Sequence, residues 1–304
     1  MPRIARIKFP NGIYHIMIRS ISEIILFKAS EDKDKYLMLL KKYQLIFHFK
    51  IYSYCLMSNH AHIAIDCCGA DISKIMKAIN QSYVLYFNKK YDRHGHLFQD
   101  RFKSKIIDTD KYLITLSAYI HNNPRDIVEF NNNVENYKYS SLGIYLGIFK
   151  DALGILDTDY VLSHFSSNQA TARQSYLELI NRLSNACEKA DIEFINDGSE
   201  CRNERKMLLR DFAAEDIITF ISKYTKSPFN IHIKYTHKNS ELKSLCVVIM
   251  RSLCNYDLKK ICHIIGNISD SAIGKLCTKG YDLITRNAKY YTLIDDLINE
   301  YSVA

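Results

Sequence analysis

The 304-residue chain is 47% apolar and 24% charged, a globular balance that excludes disorder, collagen and coiled coil. Only 4 prolines and 10 glycines leave no long flexible linker, and no run of roughly 18 uncharged apolar residues exists to cross a bilayer. The net charge of +8 is uneven: residues 1–150 carry 22 Lys+Arg against 13 Asp+Glu, residues 151–304 carry 19 against 20, and 151–200 alone carry 3 against 9. A basic amino-terminal half fits a polyanionic partner or an ordinary basic surface, and charge alone leaves both open. The 9 cysteines are odd in number and include no C-x-x-C pair, which fits reduced, mostly buried thiols. The start, Met1 to Arg6, leads into no apolar segment, so the expectation is a cytoplasmic protein without a signal peptide.

In chain order, Ile13–Arg19 reads as a strand after the turn Pro10-Asn11-Gly12. Residues 31–46 have helical periodicity through Tyr36, Leu37, Leu40 and Tyr43. Residues 47–56 and His60–Asp66 alternate on either side of Met57-Ser58-Asn59 and predict a hairpin. A long helix spans 71–91, a Gly95-containing loop follows, and Phe102–Ile107 reads as a short strand. A further helix starts near Asp108 or Thr109 and stops at Pro124. The order predicts an α+β fold, a ferredoxin-like βαββαβ core with one added helix. Beyond residue 150 the pattern is helical, at about 157–166, 169–185, 203–223, 241–253, 257–265, 269–278 and 286–302. Residues 187–202 and 224–240 read as linkers. The division expected is 1–150, 151–240 and 241–304.

His60-Ala61-His62 places two imidazoles on one face of a strand, where they can converge on one metal ion. Alone, such a pair also reads as two surface histidines. Tyr119 and Asn123 are four apart on one helix face, so a phenol and a carboxamide lie side by side. By spacing alone they also read as a core aromatic and a cap before Pro124. His94-Gly95-His96 repeats the pair in a loop without flanking alternation and is set aside. Arg101, Lys103 and Lys105 alternate with apolar or small residues, so one strand face carries three cations able to meet phosphates.

Together these segments carry a resemblance. Tyr54-Cys55-Leu56-Met57-Ser58-Asn59-His60-Ala61-His62, Gly95 to Lys103, and Ala118-Tyr119-Ile120-His121-Asn122-Asn123-Pro124 resemble, in order, three blocks of the single-tyrosine HUH transposases, in their REP-associated branch. The middle residue of the histidine pair is usually bulkier than Ala61. The resemblance covers residues 1 to about 145. It implies His60 and His62 as metal-binding histidines, Asn123 as third ligand and Tyr119 as nucleophile. It implies Mg2+ or Mn2+, with nitrogen ligands favouring Mn2+ on softness. The implied reaction is cleavage and rejoining of single-stranded or hairpin DNA through a 5′-phosphotyrosine, by a monomer or a homodimer. Arg3, Arg6 and Lys8 would form a basic arm on the hairpin.

In the carboxy-terminal segment, Gly266-Asn267-Ile268 forms a turn and Ser269 caps a third helix, with Ser271, Lys275 and Lys279 on its outer face. The spacing resembles the helix-turn-helix at the DNA-binding end of the replication initiator DnaA and implies a duplex DNA partner; a plain three-helix bundle fits the same pattern. The alternatives to the transposase are a hairpin-binding regulator and an HUH replication initiator.

Overall fold

The computed structural model describes residues 9, 12–22, 24–184, 210–228, 230–233, 237–266 and 268–301. The first part runs β1 (Ile13–Arg19), α1 (Ser30–Phe47), β2 (Lys50–Leu56), β3 (His60–Asp66), α2 (Ile72–Lys90), β4 (Lys103–Ile107) and α3 (Asp110–Asn122). The strands form one antiparallel sheet in the order β2-β3-β1-β4. This is the expected α+β arrangement, followed by a helical half.

Local chemistry sets the boundaries. The Met57 N–H bonds the His60 carbonyl and closes the β2–β3 hairpin. Asp71 caps α2 by accepting from the Ser73 N–H, and Thr109 caps α3 by accepting from the Tyr112 N–H. Alternation divides the sheet into two faces. Tyr14, Ile16, Ile18, Ile63 and Ile65 are buried on one, together with inward residues of α1 and α2. The other face receives α3. Asp32, buried at the start of α1, accepts from Lys90, Tyr86 and Tyr91 at the end of α2 and so joins the two helices.

The later helices are α4 (Leu142–Tyr145), α5 (Thr158–Leu162), α6 (Gln169–Ser184), α7 (Ala214–Tyr224), α8 (His237–Val248), α9 (Leu258–Ile265), α10 (Asp270–Arg286) and α11 (Leu293–Tyr301). A π-helical turn, Ile249–Leu253, extends α8. α6 packs on α3: the Tyr176 hydroxyl bonds His121 and Ser117, and the Asn122 amide donates to the Ile180 carbonyl. The carboxy-terminal helices are fastened to the sheet domain through backbone oxygens. The Arg210 guanidinium donates to the carbonyls of Phe47, His48, Cys68 and Leu253. Lys74 donates to those of Asn255 and Tyr256. No helix among the described residues is long and apolar enough to cross a membrane. The described cysteines are free thiols.

Several boundaries differ from expectation, among them the start of the last helix, which lies at Leu293 and not at 286. Residues 210–213 are not helical, because Arg210 reaches into the carbonyl cluster; 203–209 lie outside the described residues, as do 187–202 of the expected linker. α8 begins inside the expected 224–240 linker, with the Asn239 amide donating to the Asn230 and Ile233 carbonyls. α10 continues eight residues past its expected end at 278. Its Gly280 is not a stop: a Cβ there would lie 2.3 Å from the Ser244 carbonyl oxygen, so glycine permits the α8–α10 crossing.

Two glycines of one helix should therefore respond with opposite signs. Gly274 has open space around its missing Cβ. Gly274→Ala should stabilise by about 0.5–1 kcal/mol through helix propensity. Gly280→Ala should destabilise by about 1–3 kcal/mol through overpacking. Urea denaturation of the two variants measures both, and a stabilised Gly280→Ala would refute the close crossing.

Candidate active site

The β1–β3 register pairs Arg19 with His60, Met17 with His62 and His15 with Ala64. β4 sets Lys103 beside Met17 and Lys105 beside His15. One sheet face therefore carries His15, His60 and His62 beside two lysines. α3 lies over it. The Tyr119 ring stands edge-on to His62, with centroids 5.5 Å apart and planes at 86°, and 6.3 Å from His15. His60 and His62 have centroids 5.2 Å apart.

Asn123 begins the turn that follows α3, with Pro124 next. Its side-chain nitrogen donates to the Tyr119 carbonyl at 2.9 Å. A carbonyl can only accept, so this bond orients the amide and leaves its oxygen for His60, which the side chain also hydrogen-bonds. The carboxamide thus caps the helix and reaches the imidazole, so the two sequence readings of Asn123 are compatible.

His62 is 2% exposed, and its Nδ1 lies 2.9 Å from Nε2 of His15, also buried. Burial holds the His62 imidazole well below its ordinary pKa, aided by the neighbouring His15 and His60. Burial, then the charge of Lys105, lowers His15 to about 4. His60 is also lowered: burial is the main cause, the Asn123 bond opposes it, and Arg19 adds to it. The three rings are neutral near pH 7, the state in which imidazole nitrogens bind metals.

The donor chemistry fits a divalent cation. Nδ1 of His60 meets the Asn59 side-chain oxygen at 2.7 Å, while the Asn123 oxygen approaches the same ring. A neutral imidazole has one N–H and satisfies one oxygen as a donor. A cation shared with the ring's second nitrogen would satisfy the other. No group of three or more His, Cys, Asp and Glu among the described residues is arranged to hold a metal. The set here is two imidazoles and a carboxamide.

An open cleft of about 530 Å3 exposes the two histidines, lined by Arg19, Asn59, His60, His62, Arg101 and Lys103 among others but not by Tyr119 or Asn123. Its wall is placed by backbone bonds: the Ile21 N–H donates to the Leu97 carbonyl, and the Gln99 N–H to that of Arg19. Of the cations expected at the DNA, Arg101 and Lys103 line this cleft, and Lys105 sits beside His15 with its ammonium 4.9 Å from the Tyr112 ring centroid. Arg3, Arg6 and Lys8 lie outside the described residues. Ser271 and Lys275 line a separate groove facing α2, and Lys279 donates to the Ser240 hydroxyl. His94 and His96 are exposed in their loop and line no part of the histidine cleft.

Sequence reasoning missed His15 and Arg19. The alternation of β1, with Tyr14, Ile16 and Ile18 on one face, already set His15, Met17 and Arg19 together on the other. Their alignment with His60 and His62 needed the strand pairing.

Residues 8–123, which contain the sheet, α1–α3 and all four site residues, match the family model described as "Transposase IS200 like". Less than half of the chain is matched, and this segment is what resembles that family. A solved structure, a REP-associated tyrosine transposase bound to a REP hairpin, aligns with 49% of this chain and 89% of its own at 15% identity, with a TM-score of 0.42. No curated protein matches the chain.

Buried neutral histidines make stability acid-sensitive. His121, whose ring nitrogens meet the Tyr176 and Ser141 hydroxyls, is lowered by burial to about 3. With folded pKa values of about 4 for His15 and about 3 for His121, against about 6.5 unfolded, the unfolded chain binds more protons in acid. Stability present above pH 6.5 should be lost progressively as pH falls toward 4. Denaturant midpoints at pH 7.5, 6, 5 and 4 measure this slope, and His121→Asn should make it shallower. Equal slopes in both proteins would show that His121 does not titrate this way.

Proposed function

We propose that this protein is a DNA strand-cleaving and strand-joining enzyme of the transposase type, acting on single-stranded or hairpin DNA through a 5′-phosphotyrosine. The convergence of Tyr119, His60, His62 and Asn123 on one sheet face, beside a basic cleft that His60 and His62 line, carries the proposal. The family match of the segment that holds them supports it.

Arg19, Arg101 and Lys103 draw the phosphate backbone into the cleft. Packing of Tyr119 against His62 and His15 limits its ring motion, which lowers the entropy of reaching an attacking orientation. The phenol must lose its proton as it attacks. The Tyr119 oxygen bonds to phosphorus, the bond from phosphorus to the 3′ oxygen breaks, and that oxygen takes up a proton as a 3′-OH. Attack by a 3′-OH on the phosphotyrosine reverses the exchange, so joining needs no nucleotide cofactor. A divalent ion, Mg2+ or Mn2+, held by His60, His62 and Asn123 would withdraw charge from a non-bridging phosphate oxygen. His15 serves as a positioning residue: when its Nε2 accepts from Nδ1–H of His62, the other nitrogen of His62 keeps its lone pair for a ligand. Duplex phosphates are held on a stiff helix, which favours single strands at a recessed site.

Incubation with labelled hairpin oligonucleotides and Mn2+ should give a denaturant-resistant adduct. Tyr119→Phe should abolish it while hairpin binding stays close to wild type, and chelator should remove it from the wild type. Adduct from Tyr119→Phe, or full activity in chelator, would refute the assignment.

Calorimetry tests the positioning bond without catalysis. His15→Leu should weaken Mn2+ binding about 10–100-fold, and His15→Gln, which restores an acceptor, should recover most of it. Wild-type affinity in His15→Leu would remove His15 from the site.

A further inference from the structure

We propose that the cleft at His60 and His62 is one end of a continuous track for a single DNA strand, which passes along α2 and ends on α10. This rests on the reading of the protein as a DNA-processing enzyme and extends it to the carboxy-terminal half.

Four open clefts join end to end. The catalytic cleft shares Gln99, Asp100 and Arg101 with a second, of about 670 Å3, between the 95–102 loop and α2. The second shares Ser73, Lys77 and Gln81 with a third, of about 720 Å3, between α2 and α10. The third shares Lys275 and Thr278 with a fourth, of about 820 Å3, along the second half of α10. Each junction carries a cation: Arg101, then Lys77, then Lys275. The side chains of these three form no ion pair with any described residue. Three acids line the route, and Asp100, at the first junction, accepts from the Arg101 backbone N–H. Asp71 caps α2, and Asp282 accepts from Lys42 at 3.1 Å with Arg286 at 3.9 Å. A row of unneutralised cations facing one groove is stabilised by a polyanion lying in it. Phe98, half-buried in the second cleft, offers an apolar ring against which a base can stack.

The groove selects a single strand over a duplex. A recognition helix about 10–12 Å across must enter a major groove about 12 Å wide, with both its flanks clear. Here the face of α10 that carries Ser271, Lys275 and Thr278 looks across the third cleft at Lys74, Lys77 and Gln81 of α2. α2 stands where a duplex would have to pass. A flexible strand follows such a groove, with phosphates on the cations and bases free to turn.

Fluorescence anisotropy with labelled oligo-dT tests the track on the full chain. A strand of about 24 nucleotides should bind at least tenfold more tightly than one of about 6, because only the longer strand covers several clefts. In Lys77→Gln plus Lys275→Gln the long strand should lose most of that gain. The slope of log K against log salt should fall by about 1.4, at roughly 0.7 per phosphate contact. Lys259→Gln, which removes an exposed charge of α9 outside the four clefts, should change neither. A length gain that survives in the double variant, or no length gain in the wild type, overturns the track. So does a duplex that binds more tightly than the long strand and weakens on Lys275→Gln, since α10 would then be a duplex reader. Adduct formation by the wild type is read in parallel. Adduct without a length gain leaves the enzyme reading standing and removes the track. A length gain that depends on Lys77 and Lys275, without adduct, keeps the track and removes the enzyme reading.

Discussion

The antiparallel register of β1 on β3 is the constraint on which the site depends. It sets His15, Met17 and Arg19 beside Ala64, His62 and His60. A slip of one residue would send β1's histidine and arginine to the apolar face and its isoleucines to the site. Burial of Ile16, Ile18, Ile63 and Ile65 opposes that slip, so hydrophobic packing on one face holds the histidine cluster on the other. The β1–β4 pairing extends the effect by placing Lys103 and Lys105 along the same rows.

α3 supplies the other half of the site and is itself supported from beyond the sheet. Its Tyr119 faces the histidines, while neighbouring His121 and Asn122 bond to Tyr176 and Ile180 of α6. One helix thus turns polar groups toward the sheet's histidines and toward the core on different sides, and their surroundings differ. Both ring nitrogens of His121 are satisfied by hydroxyls in the core. Tyr119 and His60 remain part-exposed at the surface of the sheet.

The local parts of this arrangement were legible in sequence because they depend on short periods. Alternation in His60–Asp66 placed both histidines on one face, and the four-residue spacing before Pro124 placed Tyr119 beside Asn123. His15 was not legible as a site residue because its contact with His62 bridges 47 positions and arises from strand pairing. The length of α10 was hidden for a related reason. The sequence placed its end at 278, and only the packing of α8 shows that the missing side chain of Gly280 serves a crossing. The helix-turn-helix spacing likewise predicted the helices around 257–278 without showing what α10 faces. That depends on Arg210, Lys74 and Asn255, which bond to backbone groups far away in sequence.

Charge and burial are separated along this surface in a way that suits an anionic polymer. The histidines beside Tyr119 are desolvated and neutral, so they add no fixed positive charge that would compete with a cation for the site. The fixed charges of Arg19, Arg101 and Lys103 stand on the wall of the cleft, where water screens their mutual repulsion and phosphates can replace that water. The backbone clamps then decide how far the positive surface runs. By tying the ends of α1 and β3 to the π-helical turn, Arg210 holds α10 across from α2, and the same bonds that make the two halves one body give the groove between them its second wall.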